Sequence, residues 1–270
     1  MLKDITLGQY FPGTTLVHRL DPRSKLLAVA LYIVALFTAR SVLTYAIMMA
    51  VLIGSIAVSK VKLKALTRGL KPIIVILIFT SVMNLFFTEG TPLADVWLLR
   101  SITVEGLRNA IYMVLRIVML IMGTFLVTYT TSPISLTDGL ESLLSPLKKV
   151  RFPVHELAMM MTIALRFIPT LIEETDKIMS AQKARGAMLD SGSLKDRITA
   201  LVPVLIPLFI SAFRRADELA MAMECRCYHG GAGRTRLKVL RFTKKDALYT
   251  AVGLLAFGAV LATRLLFPGF

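Results

Sequence analysis

Two arginines 41 positions apart close similar polar stretches. The first is Ser180-Ala181-Gln182-Lys183-Ala184-Arg185-Gly186, the second Ala220-Met221-Ala222-Met223-Glu224-Cys225-Arg226-Cys227-Tyr228. Each arginine stands between small residues at a predicted helix end. A guanidinium at such a tip can enter a groove and make charge-assisted bonds to carboxylates or backbone carbonyls. Small flanking residues let the partner's surface come close. The alternative is an arginine that only satisfies the last carbonyls of its own helix. One copy is close to background; two copies in one polar block point toward docking. Other chemistry is thin. Cys225-x-Cys227-x-His229 supplies half of a metal set at most, since a structural zinc takes four ligands in two separated pairs and no second pair exists. Small flanks are the preferred role of both cysteines, and no metal site is expected. The chain lacks a Gly-x-x-x-x-Gly-Lys phosphate loop, so ATP hydrolysis has to come from elsewhere. Glu141, Glu156 and Glu173 are scattered, a poor set for a lipid-modifying enzyme at the membrane boundary. No catalytic residue and no cofactor are assigned.

The elements that carry the arginines read as helices. Before Arg185 runs Leu171-Ile172-Glu173-Glu174-Thr175-Asp176-Lys177, acids first and bases later, as the helix dipole favours. Gly186 is a natural left-handed stop. Before Arg226, residues Ala216, Leu219, Ala220 and Met223 share one face at spacings of three and four.

The rest of the chain is a membrane protein. It is 56% hydrophobic with mean hydropathy +0.69, which argues against a soluble globule. Lys+Arg number 32 against 17 Asp+Glu, a net charge of +15. Without a nucleic-acid-binding module, that excess belongs at a cytoplasmic membrane face, and no nucleic acid is expected as a partner. Residues 1–24 lack a signal-peptide core, so the first apolar run is expected to be retained. About 20 helical residues cross a bilayer. Five candidate spans follow: Leu26–Ala39 (borderline), Ser41–Ser59, Pro72–Phe87, Asn109–Thr131 and Ala247–Phe267. Leu26–Ser59 as one helix would measure about 51 Å, too long for the membrane. A hairpin with Arg40 at its tip is predicted instead, and Pro72 falls in a first turn, where its missing N–H costs little.

Lys and Arg collect before span one, between spans two and three, and after span four. The N-terminus is therefore predicted inside, and so is a block at 132–246; the C-terminus is outside. Trp97 then falls at the outer interface. Val154–Ile172 and Ile198–Phe213 are apolar but read as cytoplasmic or shallow interfacial helices. Were both to cross, the basic segment between them would face outward against the charge rule. Pro203 and Pro207 are expected to break or kink the second. The domain plan is thus 1–131 membrane, 132–246 cytoplasmic coupling, and 247–270 a last span.

Three further features carry two readings each. Arg116, inside the fourth span, is favoured as structural bracing over part of a substrate path, because the spans offer few other polar groups. The second reading would make the chain an independent permease. Met159, Met160, Met161, Met179, Met188, Met221 and Met223 suit either an adaptable partner surface or a packed face. His18 and His155 have no partner in sequence and read as surface or capping groups.

A set of motifs running the length of the chain carries a resemblance. They include Leu20-Asp21-Pro22-Arg23-Ser24-Lys25-Leu26, Asn84-Leu85-Phe86-Phe87 and Thr137-Asp138-Gly139-Leu140-Glu141. Phe152-Pro153-Val154-His155-Glu156-Leu157, Ala164-Leu165-Arg166-Phe167-Ile168-Pro169 and Gly230-Gly231-Ala232-Gly233-Arg234-Thr235 accompany the two arginine stretches. Together they resemble the T component of energy-coupling factor (ECF) transporters, ABC-type importers of vitamins and metal ions. The resemblance implies an all-α integral membrane protein: about five transmembrane helices and a cytoplasmic coupling domain of long crossing helices. It implies docking of two ABC ATPase subunits through Ala184-Arg185-Gly186 and Cys225-Arg226-Cys227. It also implies contact with a substrate-binding membrane S component, carried here onto Met159, Met160, Met161, Pro169, Pro203 and Pro207. The lipid bilayer of the cell membrane is the remaining partner. One departure stands out: the second motif has Cys225 and Cys227 where the family has Ala and Gly. Cysteine is small, so docking is expected to persist, but it resists left-handed backbone angles.

Overall fold

The apolar runs become helices whose ends are set by local capping. The computed structural model describes residues 10–88, 91, 103–187, 194–231, 235 and 239–266, with backbone alone at 194, 197 and 266. Trp97, Met188, Ala232, Gly233, Arg234 and Phe267, for which the sequence suggested places, lie outside the described residues. Every regular element among the described residues is helical: α1 Leu16–Arg19, α2 Pro22–Thr38, α3 Val42–Ser59, α4 Leu63–Leu70, α5 Ile74–Phe87, α6 Val104–Thr130, α7 Pro133–Leu143, α8 Val154–Ala184, α9 Leu194–Cys225 and α10 Lys244–Leu266. Two compact units emerge. One is formed by Gly8–Leu140 with Leu240–Phe270, the other by Met1–Leu7 with Glu141–Val239.

In the first unit, Asp21 caps α2 by accepting from the Arg23 N–H (2.9 Å), and Pro22 takes the first turn, where its missing N–H costs nothing. The chain leaves the helix at Ala39, turns through Arg40, and restarts under a reciprocal capping box between Ser41 and Thr44. This is the predicted hairpin. Pro72 differs from expectation. It lies in a 3₁₀ turn, Lys71–Ile73, that joins α4 to α5, so the rod begins at Leu63. A proline interrupts the hydrogen-bond ladder, but its φ remains compatible with a helix. α6 begins at Val104, earlier than the apolar run, because the Thr103 hydroxyl caps the Gly106 N–H (3.0 Å). Six helices are long and apolar enough to cross a membrane: α3, α4 with α5, α6, α8, α9 and α10. α2 has 17 residues, about 26 Å of rise.

Leu36, Met48, Leu66, Met119 and Val260 are buried where these helices meet. Arg116 braces them. Its Nε donates to the Tyr45 hydroxyl (3.0 Å) and its Nη2 to the Ala39 carbonyl (3.2 Å), an orphan acceptor at the end of α2. The guanidinium also lies 6.0 Å from the centroid of the Phe37 ring. Lys25, counted among the orienting charges, is in fact buried. It donates to the Thr130 carbonyl and the Thr131 hydroxyl, both at 3.0 Å, and so ties the start of α2 to the end of α6. His18 is no free surface group either: Nδ1 lies 2.6 Å from the Thr15 hydroxyl and Nε2 3.1 Å from the Phe11 carbonyl. Burial, ahead of the nearby Lys25 charge, lowers its pKa and favours the neutral ring, although the Phe11 bond works the other way.

Asp246 makes the densest polar knot. It accepts from the Asp21 N–H (2.6 Å), the Ser24 hydroxyl (3.2 Å), the Thr243 N–H (2.8 Å) and the Thr243 hydroxyl (2.5 Å), joining the N-termini of α2 and α10. Asp246→Ala strands a buried backbone donor. It is expected to lower stability by about 2–3 kcal/mol, seen as a lower melting temperature in detergent.

Candidate docking site

The second unit presents the two arginines on α8 and α9, of 31 and 32 residues. Both helices run far past their apolar stretches into the polar segments that end at the arginines. Neither Pro169 in α8 nor Pro203 and Pro207 in α9 breaks its helix, contrary to the expectation of a break.

The two tips share one cap geometry. At the first, the Gly186 N–H donates to the Lys183 carbonyl (3.0 Å) and the Ala187 N–H to the Gln182 carbonyl (3.0 Å). At the second, the Cys227 N–H donates to the Glu224 carbonyl (2.8 Å) and the Tyr228 N–H to the Met223 carbonyl (3.1 Å). Both are Schellman caps, and Arg185 and Arg226 occupy the same position in each. Gly186 has φ +88° and Cys227 φ +55°, so cysteine adopts the left-handed turn after all. The turn costs a non-glycine residue about 1–2 kcal/mol, which the paired cap bonds offset. Both arginines are exposed, and neither makes a side-chain hydrogen bond or ion pair with the described residues. Cys225 and Cys227 are exposed free thiols.

The tips are held apart by the packing of their helices. Residue 174 meets 211 and 215, and residue 182 meets 203, so α8 and α9 run antiparallel. Glu174 is the lock. One carboxylate oxygen accepts from the Arg215 Nη2 (2.8 Å) and the other from the Ser211 hydroxyl. Arg185 follows Glu174 by the same eleven positions that separate Arg226 from Arg215. Each tip therefore stands about 16 Å from the lock, in opposite directions. The two sites are thus spatially separate.

Gln182 supplies a second tie. Pro207 has no N–H, so the Pro203 carbonyl, four residues before it, loses its helical donor. The Gln182 side-chain amide takes that place, donating to the Pro203 oxygen at 3.2 Å. A residue of the first cap is thereby fastened to α9. At the other end the Tyr228 hydroxyl reaches the Met159 sulfur (3.3 Å). His155 pairs through Nδ1 with Glu141 at 3.1 Å, so it has the partner that the sequence did not reveal. A Cβ at Gly231 would come within 2.4 Å of the His155 ring, which fits the glycine there. Glu174, Ser211, Arg215 and Gln182 are the residues that sequence reasoning missed. The proline pair spaced by four was the available signal for Gln182.

The residues carried over for contact with an S component separate by facing. Met160 and Met161 are exposed, as are Pro169 and Pro203; Met159 turns toward Tyr228 and Pro207 is half-buried. Along α9, Ile198, Leu201, Leu205, Phe209 and Phe213 leave a long apolar surface uncovered. Among the described residues, no three His, Cys, Asp or Glu side chains come together as a metal set.

The chain is similar along nearly its whole length to known proteins. The cobalt transport protein family, CbiQ, matches residues 13–237. The energy-coupling factor transporter transmembrane protein EcfT of Thermosediminibacter oceani is 54% identical over 97% of this chain and 98% of its own. The protein of the same name from Clostridium kluyveri is 56% identical over 91% of this chain and 92% of its own. That of Bacillus subtilis is 49% identical over 97% and 98%.

Two measurements check the geometry of the tips. Cys227→Gly relieves the left-handed turn and is expected to raise stability by about 1 kcal/mol, whereas Gly186→Val lowers it, both read from denaturant midpoints in detergent. A double-mutant cycle of Glu174→Ala with Arg215→Ala is expected to show a coupling of about 0.5–1 kcal/mol, modest because the pair is partly exposed.

Proposed function

Since the chain belongs to the energy-coupling factor transporter transmembrane family, we propose that it is the scaffold that couples two ATP-hydrolysing subunits to a substrate-binding membrane subunit. The observation that carries this reading is the pair of matching caps, each presenting an unpaired arginine. A guanidinium needs carboxylates or carbonyls around it, and this chain supplies none to either. Two equal tips at opposite ends of one helix pair suit two copies of one partner. The docking residues are Arg185 with Ala184 and Gly186, and Arg226 with Cys225 and Cys227. Ala184, Cys225 and Cys227 are small, so a groove wall can close on the guanidinium.

The second partner is an S component that binds a vitamin or a metal ion. Its contact surface is the uncovered apolar face of α8 and α9, including Met160, Met161, Pro169 and Pro203, with Met159 and Pro207 supporting from beneath. Nucleotide-driven closure of the ATPases moves the tips. The lock at Glu174 passes that motion to the apolar face, and the S component reorients. In this reading 132–246 is cytoplasmic with the N-terminus, the C-terminus is outside, and the scaffold carries no catalysis of its own.

The test is docking. Arg185→Glu and Arg226→Glu are each expected to weaken ATPase-subunit binding by about 2 kcal/mol or more, as interface hot spots do. The double variant is expected to lose both subunits on purification from detergent. A double variant that retains both at wild-type stoichiometry contradicts the assignment.

A further inference from the structure

The membrane unit contains a cleft that the scaffold role does not use. It opens between α2, α3, α6 and α10 and has a volume of about 580 Å³, in the range of pockets that enclose a single small ligand. Small residues create it. Gly253 faces Ala28 across α10 and α2, where a Cβ would still lie 3.8 Å from the alanine methyl. Gly123 makes room for the Tyr32 ring, which a Cβ there would approach to 2.6 Å.

The lining is hydrocarbon apart from Tyr32, Ser55 and Tyr249. Their polar atoms are occupied already. The Tyr32 hydroxyl donates to the Met119 carbonyl (3.2 Å), and Tyr249 and Ser55 hydrogen-bond each other. A water needs two to four polar partners, and the cleft offers none that are free. Val252, 45% exposed, stands at the rim, so the cleft opens sideways between the helices. In a bilayer the matter available at such an opening is lipid hydrocarbon.

One face of α10 extends the site to a charge. Lys245, Tyr249, Val252 and Ala256 recur at spacings of four, three and four, and so lie on one side of the helix. Three of them line the cleft; the fourth, Lys245, is exposed one turn before Tyr249, beside the exposed Lys244. Neither lysine has an ion pair with the described residues. Lys60, also exposed, follows the end of α3 five positions after Ser55. The neighbouring Asp246 is spent on the knot with Asp21, Ser24 and Thr243. Lysine stems rise from apolar surface to the headgroup level, where each adds to the attraction for anionic lipid.

We propose that this cleft binds one acyl chain of an anionic phospholipid, with the headgroup phosphate held by Lys245. The site is separate from the docking arginines and does not depend on their role. A chain seated there fills the gap between α10 and the rest of the membrane unit.

Native mass spectrometry of the full-length protein, released from detergent with phosphatidylglycerol or phosphatidylcholine, tests it. The expected result is one retained phosphatidylglycerol per chain, favoured about fivefold over phosphatidylcholine. Lys245→Gln is expected to abolish that preference and keep lipid occupancy. Gly253→Phe fills the cleft and is expected to abolish retention. Val252→Trp, on the exposed rim, is expected to do the same by closing the mouth, with the melting temperature unchanged. Retention by the Trp variant at the wild-type level overturns the proposal. So does equal binding of the two lipids by the wild type, or capture of another transporter subunit in place of lipid by a photo-crosslinker at residue 249.

Discussion

Both docking tips are placed by one interaction, the clasp of Glu174 by Arg215 and Ser211. Two helices of about 46–48 Å have ample freedom to slide or splay if only apolar side chains join them. A carboxylate with both oxygens engaged by the neighbouring helix fixes their register at one point. That point lies the same number of residues from either arginine, so a displacement at one tip is transmitted about a central fulcrum. The energy of the clasp is modest because it is partly exposed, but its geometric role is larger than its energy. A slip of one turn would move each tip by about 5 Å relative to the other helix.

The tips themselves are rigid for a different reason. A Schellman cap returns two N–H groups to the last turn and leaves the residue between them with a defined backbone. Gly186 adopts that turn without penalty; Cys227 adopts it at a cost. The two ends are therefore equal in geometry and unequal in strain. Gln182 fastens the first end to α9 through a carbonyl that a proline has orphaned, and Tyr228 fastens the second to α8 through Met159. Each cap is thus tied to the opposite helix by a residue within or next to it.

Much of this was legible in the chain. The apolar runs located the helices of the membrane unit, because length and hydropathy are nearly sufficient for that purpose. The boundaries depended on caps at Asp21, Ser41 and Thr103, which hydropathy does not see. The arginine motifs were legible because small residues and a glycine stop surround Arg185, and a weaker copy surrounds Arg226. The cap at Cys227 was doubted because intrinsic preference alone was weighed, without the two hydrogen bonds that override it. Prolines 203 and 207 suggested a break. Their neighbours instead repair the ladder from outside, as tertiary contacts can. The pairings of Glu174 with Arg215 and of His155 with Glu141 were not legible. They depend on the register between helices, which no local pattern encodes. Lys25 misled in a similar way, since a charge counted toward orientation proved to be a buried tie.

The central claim is that each arginine tip sits in its own nucleotide-binding subunit. Photo-crosslinking amino acids placed at residues 184 and 225 of the intact transporter examine this most directly. The account predicts that each position alone captures a nucleotide-binding subunit, and that both together give one species carrying two such subunits. Adducts with lipid alone, or two positions that capture the same single subunit, would contradict it.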